Sequence, residues 1–388
     1  MDFEPTEEQA LIVDQVRRFV REEIWPLEAK LDPDASRVEP EDHARLVAKT
    51  RAMGLYGLGI PPEFGGPDVD IVTQTLIAIE TSQHRAGLYS PCFGAFGGAG
   101  LAQLYEANDD QKQRYLFPML RGEKRGFFGL TEPSGGSDPA RAIRTKAVRD
   151  GDDWVINGSK IFISGADGAD FGIVFARTDA EKGRGGITCF IVDGDTPGFH
   201  VRRVVHTLRS GHYGTELQFE DARVPHANVL GEVNRGFAIA NDRLTRQRIP
   251  YAAGCLGVAV RAQEMSIDYA KQRETFGAML STRQAIQWMV VDNEIDIRTA
   301  RWAILAAACK AARGEPFRTE AAMAKLLASE GASRVVDRAI QIHGGYGVTK
   351  DFPLERWYRE MRIRRIGEGP SEVQRIVMAR DLFDQALY

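Results

Sequence analysis

Asp150-Gly151-Asp152-Asp153-Trp154-Val155-Ile156-Asn157-Gly158-Ser159-Lys160-Ile161-Phe162-Ile163-Ser164 is the stretch whose local chemistry decides the fold. Asp-Gly tolerates the positive φ of a tight hairpin, and the β-branched and aromatic residues after it suit a pleated strand. Comparable short runs, Ile173-Val174-Phe175, Thr188 to Val192 and Leu217 to Phe219, recur between about Phe128 and Glu232. Their spacing, with turns between them, predicts an antiparallel sandwich or small barrel rather than a parallel nucleotide-binding sheet.

On both sides of this block the hydrophobic period becomes helical. Leu11, Ile12, Val16, Phe19 and Val20 recur at three- and four-residue spacing, which predicts a helical segment from Thr6 to about Phe127. After Arg235, Ile286, Met289, Val290, Ile297 and Ile304 trace another stripe, and a further helix is predicted from about Thr319 to Ile342 beyond the breaker Gly314-Glu315-Pro316. Long apolar-faced helices with short connections and an alanine-rich portion (Ala306 to Ala308) read as a four-helix bundle. The expected fold is α+β and multidomain: an N-terminal all-α domain (1–127), a central antiparallel β domain (128–232) and a C-terminal four-helix bundle (233–388). The glycine-rich stretch Phe93 to Gly100 fits either a helix end close to a ligand or a loose interhelical junction.

The 388 residues are 43% hydrophobic with a net charge of −4, enough to bury a sizeable core. Acidic and basic residues are interspersed, so nucleic acid and anionic membrane are not expected partners. Cys92, Cys189, Cys255 and Cys309 are far apart, unlike a zinc site or disulfide framework, and no metal is expected. Met1-Asp2-Phe3-Glu4-Pro5 lacks the charged start and apolar core of a secretion signal, and no apolar run reaches membrane-spanning length; the expected location is cytoplasmic. No Gly-x-Gly-x-x-Gly follows a strand, so NAD is not the default cofactor.

Ile366-Gly367-Glu368-Gly369-Pro370-Ser371-Glu372 sets one carboxylate between two glycines just before a helix start, with Ser371 and Gln374 matching a Ser-x-x-Gln capping box. A carboxylate fixed on such a corner and partly desolvated suits a general base; by itself the segment also reads as an exposed turn.

Phe128-Gly129-Leu130-Thr131-Glu132-Pro133-Ser134-Gly135-Gly136-Ser137-Asp138 and Asn157 to Ser164, followed by Arg273-Glu274-Thr275-Phe276-Gly277, Gln341-Ile342-His343-Gly344-Gly345-Tyr346-Gly347 and the Glu368 segment, resemble in order and spacing the motifs of the acyl-CoA dehydrogenase family. Pro5 to Gln9 and Ile60 to Gly66 look like that family's opening, so the resemblance spans nearly the whole chain.

The resemblance implies FAD held by Phe128, Leu130, Thr131, Gly136, Ser137, Phe162, Ile163 and Ser164. Arg273, Thr275, Phe276 and Gln284 would reach a neighbouring subunit's flavin, and Gln341, Gly344, Gly345, Gly369, Ser371 and Glu372 would complete the cofactor site. Relatives commonly have Trp at the position of Phe162 and Thr at that of Pro370. On the substrate side it implies Ser137, Thr245, Arg248, Gly367, Glu368 and Arg380. Read without the resemblance, Arg248 fits a buried structural pair, Arg273 a helix-end salt bridge, and Gly344 with Gly345 a helix C-cap.

The implied reaction removes an α-proton of an acyl-CoA with Glu368 as base while flavin takes a β-hydride, giving a trans-2-enoyl-CoA. Relatives that place the base on an earlier helix carry it where this chain has Gln247, which cannot abstract a proton. Gly367 stands where relatives often have Tyr, which leads to the expectation of a wider pocket for branched, cyclic or bulky acyl groups. Electron transfer flavoprotein is the implied acceptor and a homotetramer, or homodimer, the implied assembly. The competing functions are an acyl-CoA desulfinase or flavin monooxygenase on the same scaffold and, more remotely, a DNA-associated flavoprotein; retention of Glu368 argues against the first two.

Overall fold

In the computed structural model, which describes residues 4–35, 38–85, 90–93, 101–209 and 214–383, helix α1 (Glu7–Phe19) begins on a reciprocal cap. Thr6 Oγ1 accepts from the Gln9 amide at 3.2 Å, and Gln9 Oε1 accepts from the Thr6 amide at 3.0 Å. Val16, Phe19 and Val20 are buried, as the stripe predicts, whereas Leu11 is 73% exposed. Leu11 lies one residue off the stripe defined by Ile12, Val16, Phe19 and Val20, a rotation of about 100° that turns it to solvent.

Further along come α2 (Pro40–Ala52), α3 (Ile71–Thr81), α4 (Gly236–Gln272), α5 (Gln284–Ala312), α6 (Arg318–His343), α7 (Leu354–Arg364) and α8 (Ser371–Leu382). Met1–Gly97 and Thr245–Tyr388 form one compact unit. Its single core joins Val16, Phe19, Leu46 and Ile77 to Ile249, Leu256, Ile304, Val335 and Trp357. Burial of each such aliphatic or aromatic side chain stabilises the fold by about 1.5–3 kcal/mol.

α6 packs against α5, α7 and α8, and α3 against α1 and α5. Ala321, Ala322, Ala324, Ala328, Ala332 and Ala339 favour helix and leave little bulk along the buried side of α6. Where α4 crosses α3, a Cβ on Gly257 would stand 2.2 Å from the Ile79 carbonyl oxygen, so only glycine permits that approach.

Gly98–Leu244 forms the second unit. Its strands are β1 (Gly126–Gly129), β2 (Lys146–Asp150), β3 (Asp153–Ile163), β4 (Phe171–Arg177), β5 (Ile187–Asp193), β6 (Phe199–Val204) and β7 (Thr215–Pro225). They make one sheet in the order β1-β4-β2-β3-β7-β6, with β5 on β4. Asp150 pairs with Asp153, leaving Gly151-Asp152 as the turn, and Gly151 has φ +61°. The ladders are antiparallel except at β4, which β1 meets in parallel along its length and β2 at one residue. That departs from a purely antiparallel sheet because the β2–β3 hairpin intervenes between β1 and β4, giving the crossover that parallel pairing requires. Phe127, Ile156, Val174, Phe190, Leu217 and Phe219 fill the core of this unit. Gly94 to Gly100, where the glycine-rich stretch raised two readings, lies outside the described residues.

Candidate active site

In the β unit, the segment after β1 is fixed by a buried ion pair. Lys160 Nζ lies 2.7 Å from Glu132 Oε1, with the two side chains 0% and 4% exposed. Glu132 also accepts from the amides of Arg144 (2.7 Å) and Thr145 (3.0 Å), and Lys160 Nζ donates to the Leu130 carbonyl at 3.2 Å. The Ile161 amide donates to the Thr131 carbonyl at 2.9 Å. Leu130 and Thr131 are thereby held against the end of β3, which carries Phe162 and Ile163 and leads into Ser164. Burial pushes Lys160 down to about 8, with the Glu132 charge opposing. Burial alone would raise the Glu132 carboxyl, but the charge and hydrogen bond of Lys160, with the Thr145 and Arg144 bonds, hold it below the ordinary carboxylate value.

Around this anchor the backbone takes rare conformations. The β3–β7 register shifts between Lys160 and Ile163, and Phe162 has φ +58° with its ring 60% exposed. Ser137 has φ +64° and is exposed, while a Cβ on the neighbouring Gly136 would meet nothing within 4 Å. Phe128 and Thr131 are half-buried, Leu130 and Ile163 buried, and Ser164 exposed. Left-handed backbone at non-glycine residues is costly and collects at ligand sites.

In the helical unit, Glu368 has φ +53° in the turn between α7 and α8. Its neighbours are tied down on both sides. Lys325 Nζ, from the buried side of α6, donates to the Gly369 carbonyl at 2.8 Å and the Arg365 carbonyl at 3.3 Å. Gln374 Nε2 donates to the carbonyls of Gly369 (2.8 Å) and Glu368 (3.3 Å), and the Ser371 amide donates to the Arg365 carbonyl at 3.1 Å. The expected Ser371–Gln374 capping box does not form: Pro370 is the N-cap, no side chain caps the helix, and Ser371 is its first residue. Gln374 instead points back over the loop, where its amide donates to the Glu368 carbonyl and shares the Gly369 carbonyl with Lys325.

The carboxylate sits among cations. Glu368 Oε2 is shielded from solvent. Arg248 is 6% exposed, and neither its Nε nor its Nη1 has a hydrogen-bond partner among the described residues. Burial and the nearby Arg318 pull Arg248 down to about 10, against the attraction of Glu368. Lys325 is pushed to about 8 by burial and Arg248, with Cys255, Glu368 and Glu330 opposing. Buried charged donors left without a chain partner are costly unless a bound group meets them.

Gly367 does not leave the open space expected of it. A Cβ there would stand 2.6 Å from the Tyr251 hydroxyl oxygen, so Tyr251 fills the volume that a missing side chain at 367 opens. Arg364 lies over the Tyr251 ring at 4.7 Å and Lys325 at 5.7 Å from its centroid. Of the arginines before the base, Arg359 pairs with Glu355 at 3.0 Å on the helix surface, while Arg364 turns inward onto this tyrosine.

The remaining expected site residues lie apart from this cluster in burial. Arg273, Gln284, Gln341, Gly344, Gly345 and Glu372 are exposed; Thr245, Thr275 and Arg380 are half-buried. Thr275 and Phe276 belong to the hairpin formed by β8 (Glu274–Thr275) and β9 (Ala278–Met279), whose turn Phe276-Gly277 has φ +51° and +71°. Arg283 Nη2 braces it through the Thr275 carbonyl at 2.6 Å, and the Phe276 side chain is 99% exposed.

Sequence reasoning missed Lys325, Tyr251, Gln374 as a loop clamp and the Glu132–Lys160 pair. Only Lys325 carried a signal, a lone charge inside the buried run Ala321 to Ala328 of α6.

Three sequence models match consecutive parts of the chain: acyl-CoA dehydrogenase N-terminal domain over residues 6–123, middle domain over 127–222 and C-terminal domain over 234–383. The short-chain specific acyl-CoA dehydrogenase of Clostridium acetobutylicum is 39% identical over 385 residues, covering 99% of this chain and all of the relative. The structure of butyryl-CoA dehydrogenase from Megasphaera elsdenii superposes with a TM-score of 0.86 at 34% identity, over 99% of this chain and 100% of the other. A chain from work on the electron transferring flavoprotein of Acidaminococcus fermentans superposes with a TM-score of 0.85 at 38% identity, over 98% and 99%. The fold and the full-length matches together show that this chain belongs to the acyl-CoA dehydrogenase family of oxidoreductases.

Proposed function

We propose that this chain dehydrogenates a short acyl-CoA thioester to the trans-2-enoyl-CoA, with Glu368 as the base that takes the α-proton. The observation carrying this reading is the Glu368 loop: a carboxylate in left-handed backbone, fastened by Lys325 and Gln374, with the Arg248 and Lys325 charges nearby. A base held in one orientation spends no freedom when it meets the α-carbon. The Glu368 amide would polarise the thioester carbonyl, stabilising the negative charge left when the proton departs. The buried Arg248 donors favour an anionic or strongly polar group beside the base.

FAD would supply the oxidant that accepts the β-hydride; Phe128, Leu130, Thr131, Gly136, Ser137, Phe162, Ile163 and Ser164 would hold it. These residues fit a flavin: Phe162 offers an exposed aromatic face, Ser137 and Gly136 open backbone, and Thr131 a hydroxyl on a loop pinned by Glu132 and Lys160. Arg273, Thr275, Phe276, Gln284, Gln341, Gly344 and Gly345 would reach a neighbouring subunit's cofactor, which accounts for a phenylalanine left 99% exposed on a braced hairpin. Gly369, Ser371 and Glu372 would complete the site beside the base.

A short acyl group replaces the bulky one expected from Gly367, because the Tyr251 hydroxyl fills that space and the relative in Clostridium acetobutylicum is short-chain specific. Electron transfer flavoprotein would take the electrons, a reading supported by the Acidaminococcus fermentans chain.

The test is anaerobic titration of the purified flavoprotein with straight, branched and cyclic acyl-CoAs, following flavin absorbance. Bleaching by butyryl-CoA above the bulkier substrates, abolished in Glu368→Gln, is the expected result. A flavin that no acyl-CoA reduces would overturn dehydrogenation and point to desulfination or oxygenation.

A further inference from the structure

We propose that Lys325 is the positioning residue of the catalytic base, a buried bolt that fixes the Glu368 turn to the middle of α6. The proposal rests on the reading of Glu368 as the α-proton base and goes beyond it by assigning how that base is held.

The argument is geometric. Glu368 has φ +53°, a conformation that an isolated glutamate leaves readily, because the left-handed region costs an L-residue roughly 1–2 kcal/mol. Lys325 is 0% exposed and sits on the alanine-rich buried side of α6, where its ammonium is costly unless it is satisfied. Its Nζ bridges the two carbonyls that bracket the base, Arg365 at 3.3 Å and Gly369 at 2.8 Å. The same lysine is thus bonded to the C-cap residue of the preceding helix and to the residue after Glu368. The centroid of the Tyr251 ring lies 5.7 Å from the ammonium. Gln374 grips the same Gly369 carbonyl at 2.8 Å, so the loop is held from two helices. An uncompensated lysine in this place would be expelled; one with two carbonyl partners locks the loop instead.

The experiment compares wild type, Glu368→Gln, Lys325→Met and Lys325→Gln as flavin-loaded protein. The first readout is anaerobic flavin reduction by butyryl-CoA and by its α-deuterated form. The second, independent of turnover, is hydrogen exchange of the amides from Ile366 to Glu372. We expect K325M to keep its flavin and its KM within about twofold while the reduction rate falls roughly 100-fold, as a base displaced by about 1 Å would cause. The α-deuterium isotope effect should rise, and exchange should quicken in the loop while that of β3 and β7 is unchanged. Lys325→Gln, shorter but polar, should lie between.

A K325M enzyme with wild-type rate, isotope effect and loop exchange overturns the proposal while leaving the base assignment intact. If both variants lose flavin or fold, Lys325 is a core residue and the proposal is likewise overturned. If wild-type flavin is not bleached, or Glu368→Gln bleaches normally, it is the reading of the base that fails, and the exchange data then report on the loop alone.

Discussion

Among the described residues six non-glycine residues have positive φ, and four of them, Ser137, Phe162, Phe276 and Glu368, are residues that motif reading singles out. Strain and site coincide because surrounding bonds must over-determine such conformations for them to persist. Two predictions belong at this scale. Gly367→Ala places a methyl 2.6 Å from the Tyr251 hydroxyl, whose ring is held by Arg364 and Lys325, so we expect a loss of about 1–3 kcal/mol in thermal unfolding. Adding Tyr251→Phe should recover most of it, and Tyr251→Ala alone should shift kcat/KM toward branched acyl-CoAs by roughly tenfold, measured against butyryl-CoA. Additive losses in the double variant would show that the two residues do not share that space.

Glu132→Gln leaves Lys160 buried without its counter-charge, a change that costs about 3–5 kcal/mol. The Glu132 carboxyl lies below its ordinary 4.5 when folded, so the unfolded chain binds the proton first. Its stabilisation is therefore complete above that value and lost as pH falls through the folded one. The melting temperature of E132Q should be lower at pH 7 and fall less steeply between pH 5 and 3 than that of wild type. Parallel acid limbs would remove the pair from the account.

At the scale of elements, the β8–β9 hairpin spends a left-handed phenylalanine where glycine or asparagine would be cheaper. Phe276→Gly should leave the melting temperature of the flavin-free protein unchanged or raised, because it removes that strain, yet weaken flavin retention by about tenfold in a dialysis assay. Unaltered retention would show that the ring does not touch the cofactor. The end of β3 follows the same logic: its register shift turns Phe162 outward, so a strand that sequence reads by its residue types becomes a platform only through its pairing with β7.

Over the whole molecule, Trp288, Val291, Ile295 and Trp302 stand 61%, 54%, 58% and 50% exposed along α5. Their three-, four- and seven-residue spacing makes one apolar stripe, and such a stripe on a bundle calls for a partner helix. This supports the assembly of subunits that the resemblance implies, a homotetramer or homodimer. Val291→Glu with Ile295→Glu should convert the assembly to smaller species in light scattering and lower flavin content with it. An unchanged mass would place the subunit contact elsewhere. Among the described residues no helix is long and apolar enough to cross a membrane.

The order of helices, sheet and helices was legible in the chain because each rests on local periodicity: two in Trp154 to Ile156, about 3.6 in the stripe from Ile286 to Ile304. The hairpin at Gly151 and the bounds of α6 followed from turn and breaker residues. The sequence singled out Glu368 as a candidate base, since a carboxylate between glycines is a local pattern. What only the tertiary structure decided is how that carboxylate is held: Lys325 is 43 positions before it and Tyr251 still farther, and only the packing of α4, α6 and the α7–α8 turn brings them together. It also set the Tyr251 hydroxyl against Gly367 and made Gln374 clamp a loop instead of capping a helix. Spatial neighbours set burial, charge and hydrogen bonding, and a sequence lists only neighbours along the chain.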